Sequence, residues 1–137
     1  MSAVFPGAEW LQTVEEKLNN DEKYARVARN WEGDMNFIIE PGGALKERVA
    51  IYLDLWHGKC RQARIVRDEP LPEARFTLQA RYDNYVQVLQ GKVDPVQAML
   101  MRKLAVKGNM AYIMRNVPVV LDFVRCLREV TTAYLEA

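Results

Sequence analysis

Asp94-Pro95-Val96-Gln97 constrains the fold of this chain more than any other stretch. An aspartate before a helix accepts hydrogen bonds from the free amides of its first turn. Proline suits the first helical position, where its missing N–H costs nothing. Gln97 stands where a capping box wants Glu or Gln. A helix therefore starts here, and Gly91 ends the one before it. Downstream, Lys103-Leu104-Ala105-Val106-Lys107-Gly108 alternates like a half-buried strand. The stretch 75–109 thus reads strand, helix, tight stop, short helix, strand. It encloses apolar volume and holds no evident catalyst.

Earlier elements follow from the same periodicities. After Pro6-Gly7, Trp10, Leu11, Val14 and Leu18 fall at helical spacing. Asn19-Asn20-Asp21 stops that helix and caps the next, in which Tyr24, Val27, Ala28 and Trp31 share a face up to Gly33. The period then drops to two. Met35, Phe37 and Ile39 mark a strand stopped by Pro41-Gly42-Gly43. Arg48 to Trp56 is the clearest strand, with Val49, Ile51, Leu53 and Leu55 on one face. His57-Gly58-Lys59 turns it into a third strand, Cys60 to Arg67, in which Ala63 and Ile65 point inward.

Pro70 and Pro72 make a loop of residues 68–73. Phe76, Leu78 and Ala80 form the fourth strand. Tyr82, Tyr85, Val86 and Leu89 mark a helix capped by Asp83. The Asp94 helix is expected to bury Val96, Met99 and Leu100, and Leu104 with Val106 to make the fifth strand. Helix resumes with Met110, Ile113, Met114 and Val117 on one face. Pro118 kinks it or starts a new helix, along which Val120, Phe123, Val124, Leu127, Val130 and Tyr134 continue the apolar stripe. The fold class is α+β: a five-stranded, largely antiparallel sheet with helices covering one face, in a single domain over 1–137.

Composition excludes several functions. Half of the 137 residues are apolar and 27% are charged, which is enough for a core without disulfides. A net charge of +1 gives no global attraction to nucleic acid. Two distant cysteines, Cys60 and Cys126, fit a reduced, cytoplasmic protein. MSAVFPGAEW is no secretory signal, no apolar run would span a bilayer, and the end TTAYLEA carries no peroxisomal or prenylation signal.

From Val88 to Asp94 the chain reads Val88-Leu89-Gln90-Gly91-Lys92-Val93-Asp94, followed by Pro95, Ala98-Met99 and Lys103-Leu104-Ala105-Val106-Lys107-Gly108-Asn109-Met110. This succession resembles the signature of the sterol carrier protein 2 family. Leu55-Trp56-His57-Gly58-Lys59 also looks like that family's central hairpin. Two positions depart: the glycine usual before the Lys-Leu strand is Arg102, and Ala74-Arg75-Phe76 lacks the acidic residue common there. The resemblance covers roughly residues 8–125 and is most specific over 76–110.

It implies a sheet and helices that leave a tunnel between them for a sterol, fatty acid, acyl-CoA or other elongated hydrophobic ligand. It implies no catalysis by the domain alone and no cofactor. On this reading Phe37, Ile39, Ile51, Leu53, Leu55, Phe76, Leu78, Leu104 and Val106 line the tunnel from the sheet. Val86, Met99, Met110, Ile113 and Met114 face it from the helices. The last helix acts as lid through Val120, Phe123 and Val124. Periodicity does not separate a cavity wall from an ordinary core, because both need the same pattern.

Two other classes stay open. The apolar stripe of the last helix would also suit a homodimer or a docking module. Asp54, His57 and Cys60 would be the candidates for a small acyl-chain hydrolase, although adjacent turn positions of a hairpin place them facing solvent. His57 and Cys60 make only half of a tetrahedral zinc site, and there is no second histidine, so no metal is expected. Lys59, Arg61, Arg64 and Arg67 form a basic cluster for transient contact with an anionic membrane, or simply a solvated face.

Overall fold

The structure is a computed structural model, and residues 4–136 of it are described. The ends of the expected 1–137 domain range lie outside them. Helix α1 (Ala8–Asn20) buries Trp10, Leu11, Val14 and Leu18, the stripe its spacing dictates. Asp21 caps α2 (Glu22–Val27), accepting from the Tyr24 amide at 2.8 Å. Strands β2 (Met35–Glu40), β3 (Val49–Trp56), β4 (Lys59–Ile65), β5 (Phe76–Arg81) and β6 (Ala105–Lys107) form one sheet in the order β4-β3-β2-β5-β6.

Three of its pairings are antiparallel, and β2–β5 is parallel. Phe37 lies opposite Ile51 on one side and Leu78 on the other. The inner faces of β2, β3 and β5 therefore form one apolar floor. Over it run α3 (Tyr82–Leu89), α4 (Pro95–Leu100), α5 (Met110–Arg115) and α6 (Val117–Val130). Helix α1 packs on β4 and α6, and α2 and α4 pack on α6.

Local differences from the sequence reading have physical causes. The second helix ends at Val27 and not near Gly33, because the Trp31 carbonyl accepts from the His57 amide at 2.7 Å and its indole donates to the Gly33 carbonyl at 2.9 Å. Backbone pairing with the hairpin wins over helical periodicity there. Asp83 is no cap: α3 grows straight out of β5, and Asp83 sits in the first turn, paired with Arg81 at 3.0 Å. The Asp94 cap forms as read, accepting from Val96 and Gln97. Helix α4, however, buries Pro95, Ala98 and Met99, leaving Val96 half-buried and Leu100 exposed. The Lys103 and Leu104 amides donate to the Ala98 carbonyl, and this turn sends Leu104 inward in place of Leu100.

Pro118 lies in the first turn of a new helix, α6, separated from α5 at Asn116. The stripe leaves the helix at Val130; Tyr134 belongs to a two-residue strand, β7 (Ala133–Tyr134), pairing in parallel with β1 (Val4–Phe5). Segments that short carry no readable period.

Several turns use positive-φ backbone, and three of these positions bear on the packing around the sheet. Gly58 (φ 77°) sits so close to α2 that an added Cβ would lie 2.8 Å from the Ala25 carbonyl oxygen. At Gly108 (φ 135°) a Cβ would meet the Arg75 carbonyl and the Phe76 ring, each at 2.7 Å. Arg102, standing where the resembled family has glycine, keeps a glycine-type conformation at φ 60°. Gly108→Ala should therefore destabilise the fold by more than Asp94→Ala, which removes one helix cap and should cost about 1 kcal/mol. Urea unfolding of the two variants checks the order.

Candidate functional site

A cavity of about 80 Å³ lies between the sheet floor and the helices. From the floor Phe37, Ile39, Ile51, Leu53, Leu55 and Leu78 reach it. From the roof come Met99, Leu104, Ile113, Val120, Phe123 and Val124. All of these are among the positions read from the sequence. Its surface is almost wholly apolar. Phe37 and Phe123 stack across it, with ring centroids 6.0 Å apart and planes at 16°.

The remaining expected positions do not reach the cavity. Phe76 is fully buried but packs behind it, against Trp31 and Tyr112. Val86, Val106 and Met110 are half-buried to the side, and Met114 is exposed. For Met110 and Met114 the reason is the break at Asn116: α5 is too short to present more than Ile113 as a buried residue. Sequence reasoning passed over Phe5, Trp10, Trp31 and Met35, which also line the wall, as do Tyr85, Val88, Val119 and Leu127. Trp10, Tyr85 and Leu127 were visible as helical stripe positions, whereas Val88 was not. Nothing local announced Phe5, which arrives through the β1–β7 pair and stacks on Tyr82 at 5.5 Å.

The roof is anchored by a few polar contacts. The Tyr85 hydroxyl lies 3.2 Å from both the Ile38 and Leu78 carbonyls. Asn19 clasps Cys60, donating to its carbonyl at 2.9 Å and accepting from its amide at 2.8 Å. Arg128 donates to the Val88 carbonyl at 2.8 Å, tying α6 to α3. At the outer end of α6, Arg125 bonds Asp122, Asp21 and Glu129, and Lys17 joins Asp21 and Glu129. Asp21, Asp122 and Cys126 bring their donor atoms within 4.8 Å of one another, a spacing a metal ion could use. Arg125 already bonds both carboxylates.

The candidate hydrolase residues do not converge. Asp54 pairs with Arg61 at 3.1 Å, and His57 with Glu32 at 2.5 Å. Cys60 does not face solvent as its turn position suggested; it is buried beneath α1, and burial pushes its thiol up to about 12. In the basic cluster, Arg61 and Arg64 are paired with Asp54 and Glu69 and lie over Trp56 and Tyr52. The stripe of α6 faces inward, with Val120, Phe123, Val124 and Leu127 buried.

The family model for the SCP-2 sterol transfer family matches residues 11–120. The chain belongs to that family. Among solved structures, a crystal structure of sterol carrier protein 2 is 35% identical, with a TM-score of 0.79, covering 90% of this chain and 96% of its own. A conserved hypothetical protein from Thermus thermophilus is 32% identical, with a TM-score of 0.82, covering 93% and 90%. The Aedes aegypti sterol carrier protein 2 in complex with the C16 fatty acid palmitate shares the fold at 21% identity and a TM-score of 0.51, covering 83% and 93%. No curated protein sequence matches the chain. As in other SCP-2 domains, five strands in a mixed, mostly antiparallel sheet carry the helices. No helix among the described residues is long and apolar enough to cross a membrane.

Two measurements follow from the electrostatics. Asp21 is held well below the ordinary carboxylate range, first by Arg125 and then by the Tyr24 amide. A depressed folded-state value means stabilisation that is present above the unfolded value of about 4 and lost as pH falls below it. Asp21→Asn should lower stability at pH 7 by about 1–3 kcal/mol and flatten the loss of stability below pH ~4; denaturant curves at several pH values test both signs. The buried thiols of Cys60 and Cys126, the latter pushed up to about 11, should resist iodoacetamide at pH 8 until urea unfolds the chain.

Proposed function

We propose that this chain is a non-catalytic carrier. It takes up a lipid or other elongated hydrophobic molecule, of the sterol, fatty acid or acyl-CoA class, between its sheet and helices. The observation that carries the reading is an almost wholly apolar cavity, most of whose lining residues belong to the matched family segment. The palmitate complex of the Aedes aegypti protein supports it at the level of fold.

Hydrocarbon burial is the driving force, at about 0.8 kcal/mol per CH₂. Pockets for drug-sized ligands run from about 300 Å³ upward. A volume of about 80 Å³ is therefore a seed that a guest must widen. Part of the burial energy then goes into displacing the roof, which keeps affinity moderate and exchange feasible. With almost no polar surface in the wall, the cavity itself offers the guest's head group no partner. Catalysis is not part of this reading, since Asp54, His57 and Cys60 each serve a different partner.

Native mass spectrometry of the purified protein should reveal a bound lipid, and the delipidated chain should enhance a fluorescent fatty acid at micromolar concentration. A chain that carries nothing and enhances nothing is no carrier. Val120→Phe should fill the void, raising Tm by a few degrees while weakening uptake at least about tenfold. His57→Ala should leave uptake unchanged.

A further inference from the structure

The turn between α4 and β6 displays Leu100, Met101, Arg102 and Lys103 in succession, all exposed. Leu100 and Met101 are 55% and 62% exposed, the largest values among the exposed large hydrophobic residues. Four features single out this turn. Arg102 holds φ 60°, a conformation a glycine adopts freely and an arginine only at a cost. Between Asp83 and Asp122 the sequence holds five cations, Lys92, Arg102, Lys103, Lys107 and Arg115, against one acid, Asp94. With a chain total of only +1, the remainder is net acidic. Among the described residues none of those five cations is in an ion pair, whereas Arg61 and Arg64 on β4 are. Finally, Met99 and Leu104, the neighbours on either side of the turn, line the cavity.

We infer that this turn is the membrane-docking site, seating on an anionic lipid bilayer with Leu100 and Met101 inserted and Arg102 and Lys103 on the headgroups. Two apolar side chains beside unpaired cations match an interface that is oily below and negatively charged above. Docking there brings the cavity wall within one helix thickness, about 10 Å, of the bilayer. The inference rests on the carrier reading for its purpose only, because the contact itself is measurable with vesicles free of any cargo.

Flotation with phosphatidylcholine vesicles, with and without phosphatidylserine, tests it. Binding should require phosphatidylserine and weaken with salt. Arg102→Glu/Lys103→Glu should weaken it by more than about fivefold per position, and Leu100→Ser/Met101→Ser should abolish it. Arg102→Gly is the control for folding: it should raise Tm yet still weaken binding. Fluorescent fatty acid uptake from solution should stay as in the wild type in all of these, while transfer to vesicles slows. Equal binding by wild type and variants, or indifference to phosphatidylserine, overturns the docking site and leaves the carrier reading standing. Association with polyglutamate or with a second copy of the chain, without vesicle binding, reassigns the surface to a protein and equally overturns it. Vesicle binding with no uptake by any form supports the site and removes the carrier.

Discussion

The parallel pairing of β2 with β5 is the contact on which the rest of the molecule depends. Antiparallel neighbours can be joined by a tight turn, but a parallel pair needs a long excursion between its members. Here the excursion is the β3–β4 hairpin and the proline loop after it. The pairing fuses an early hairpin layer to the later segment that carries the roof. Met35, Phe37 and Ile39 fall level with Phe76, Leu78 and Ala80, so one continuous oily floor results. Without that junction the hairpin and the helices would each expose an apolar face.

What covers the floor does not fill it. Helices α4 and α5 are six residues each, too short to pack as closely as a long helix would. Long aromatic side chains, Trp10, Trp31, Phe37 and Phe123, line the space between the layers, and Phe37 stacks on Phe123. Interiors elsewhere are packed to crystal density, and every missing contact is lost dispersion energy. An unfilled apolar space between two such layers is a standing cost that a hydrocarbon guest would offset.

Much of this was legible in the chain itself. The period-two runs located the sheet, and Asp94-Pro95 located α4, because caps and alternation are local rules. The inward face of the sheet followed directly, since every second residue of a strand shares a face; that this face borders a cavity came from the family resemblance and not from the period. The roof was harder. Whether Leu100 or Leu104 turns inward depends on where a short helix stops, and whether Met110 and Met114 reach the cavity depends on a break at Asn116. Trp31 and Phe5 are placed by pairings with segments far along the chain, which no window of sequence contains. The buried state of Cys60 came from Asn19 on another element, and its hairpin position alone suggested the opposite.

The fastenings of the roof are unevenly shared. Tyr85 pins α3 to two strands at once, Asn19 pins α1 to β4, and Arg128 pins α6 to the end of α3. Among the described residues no side chain of α4 makes a hydrogen bond to the sheet; it is held by its own cap and by packing. Swelling of the interior is therefore cheapest on that flank: lifting α4 severs no polar strut, whereas raising α3 strands two carbonyls without their hydroxyl. The molecule has a fixed side and a yielding side, and the asymmetry is set by a single tyrosine.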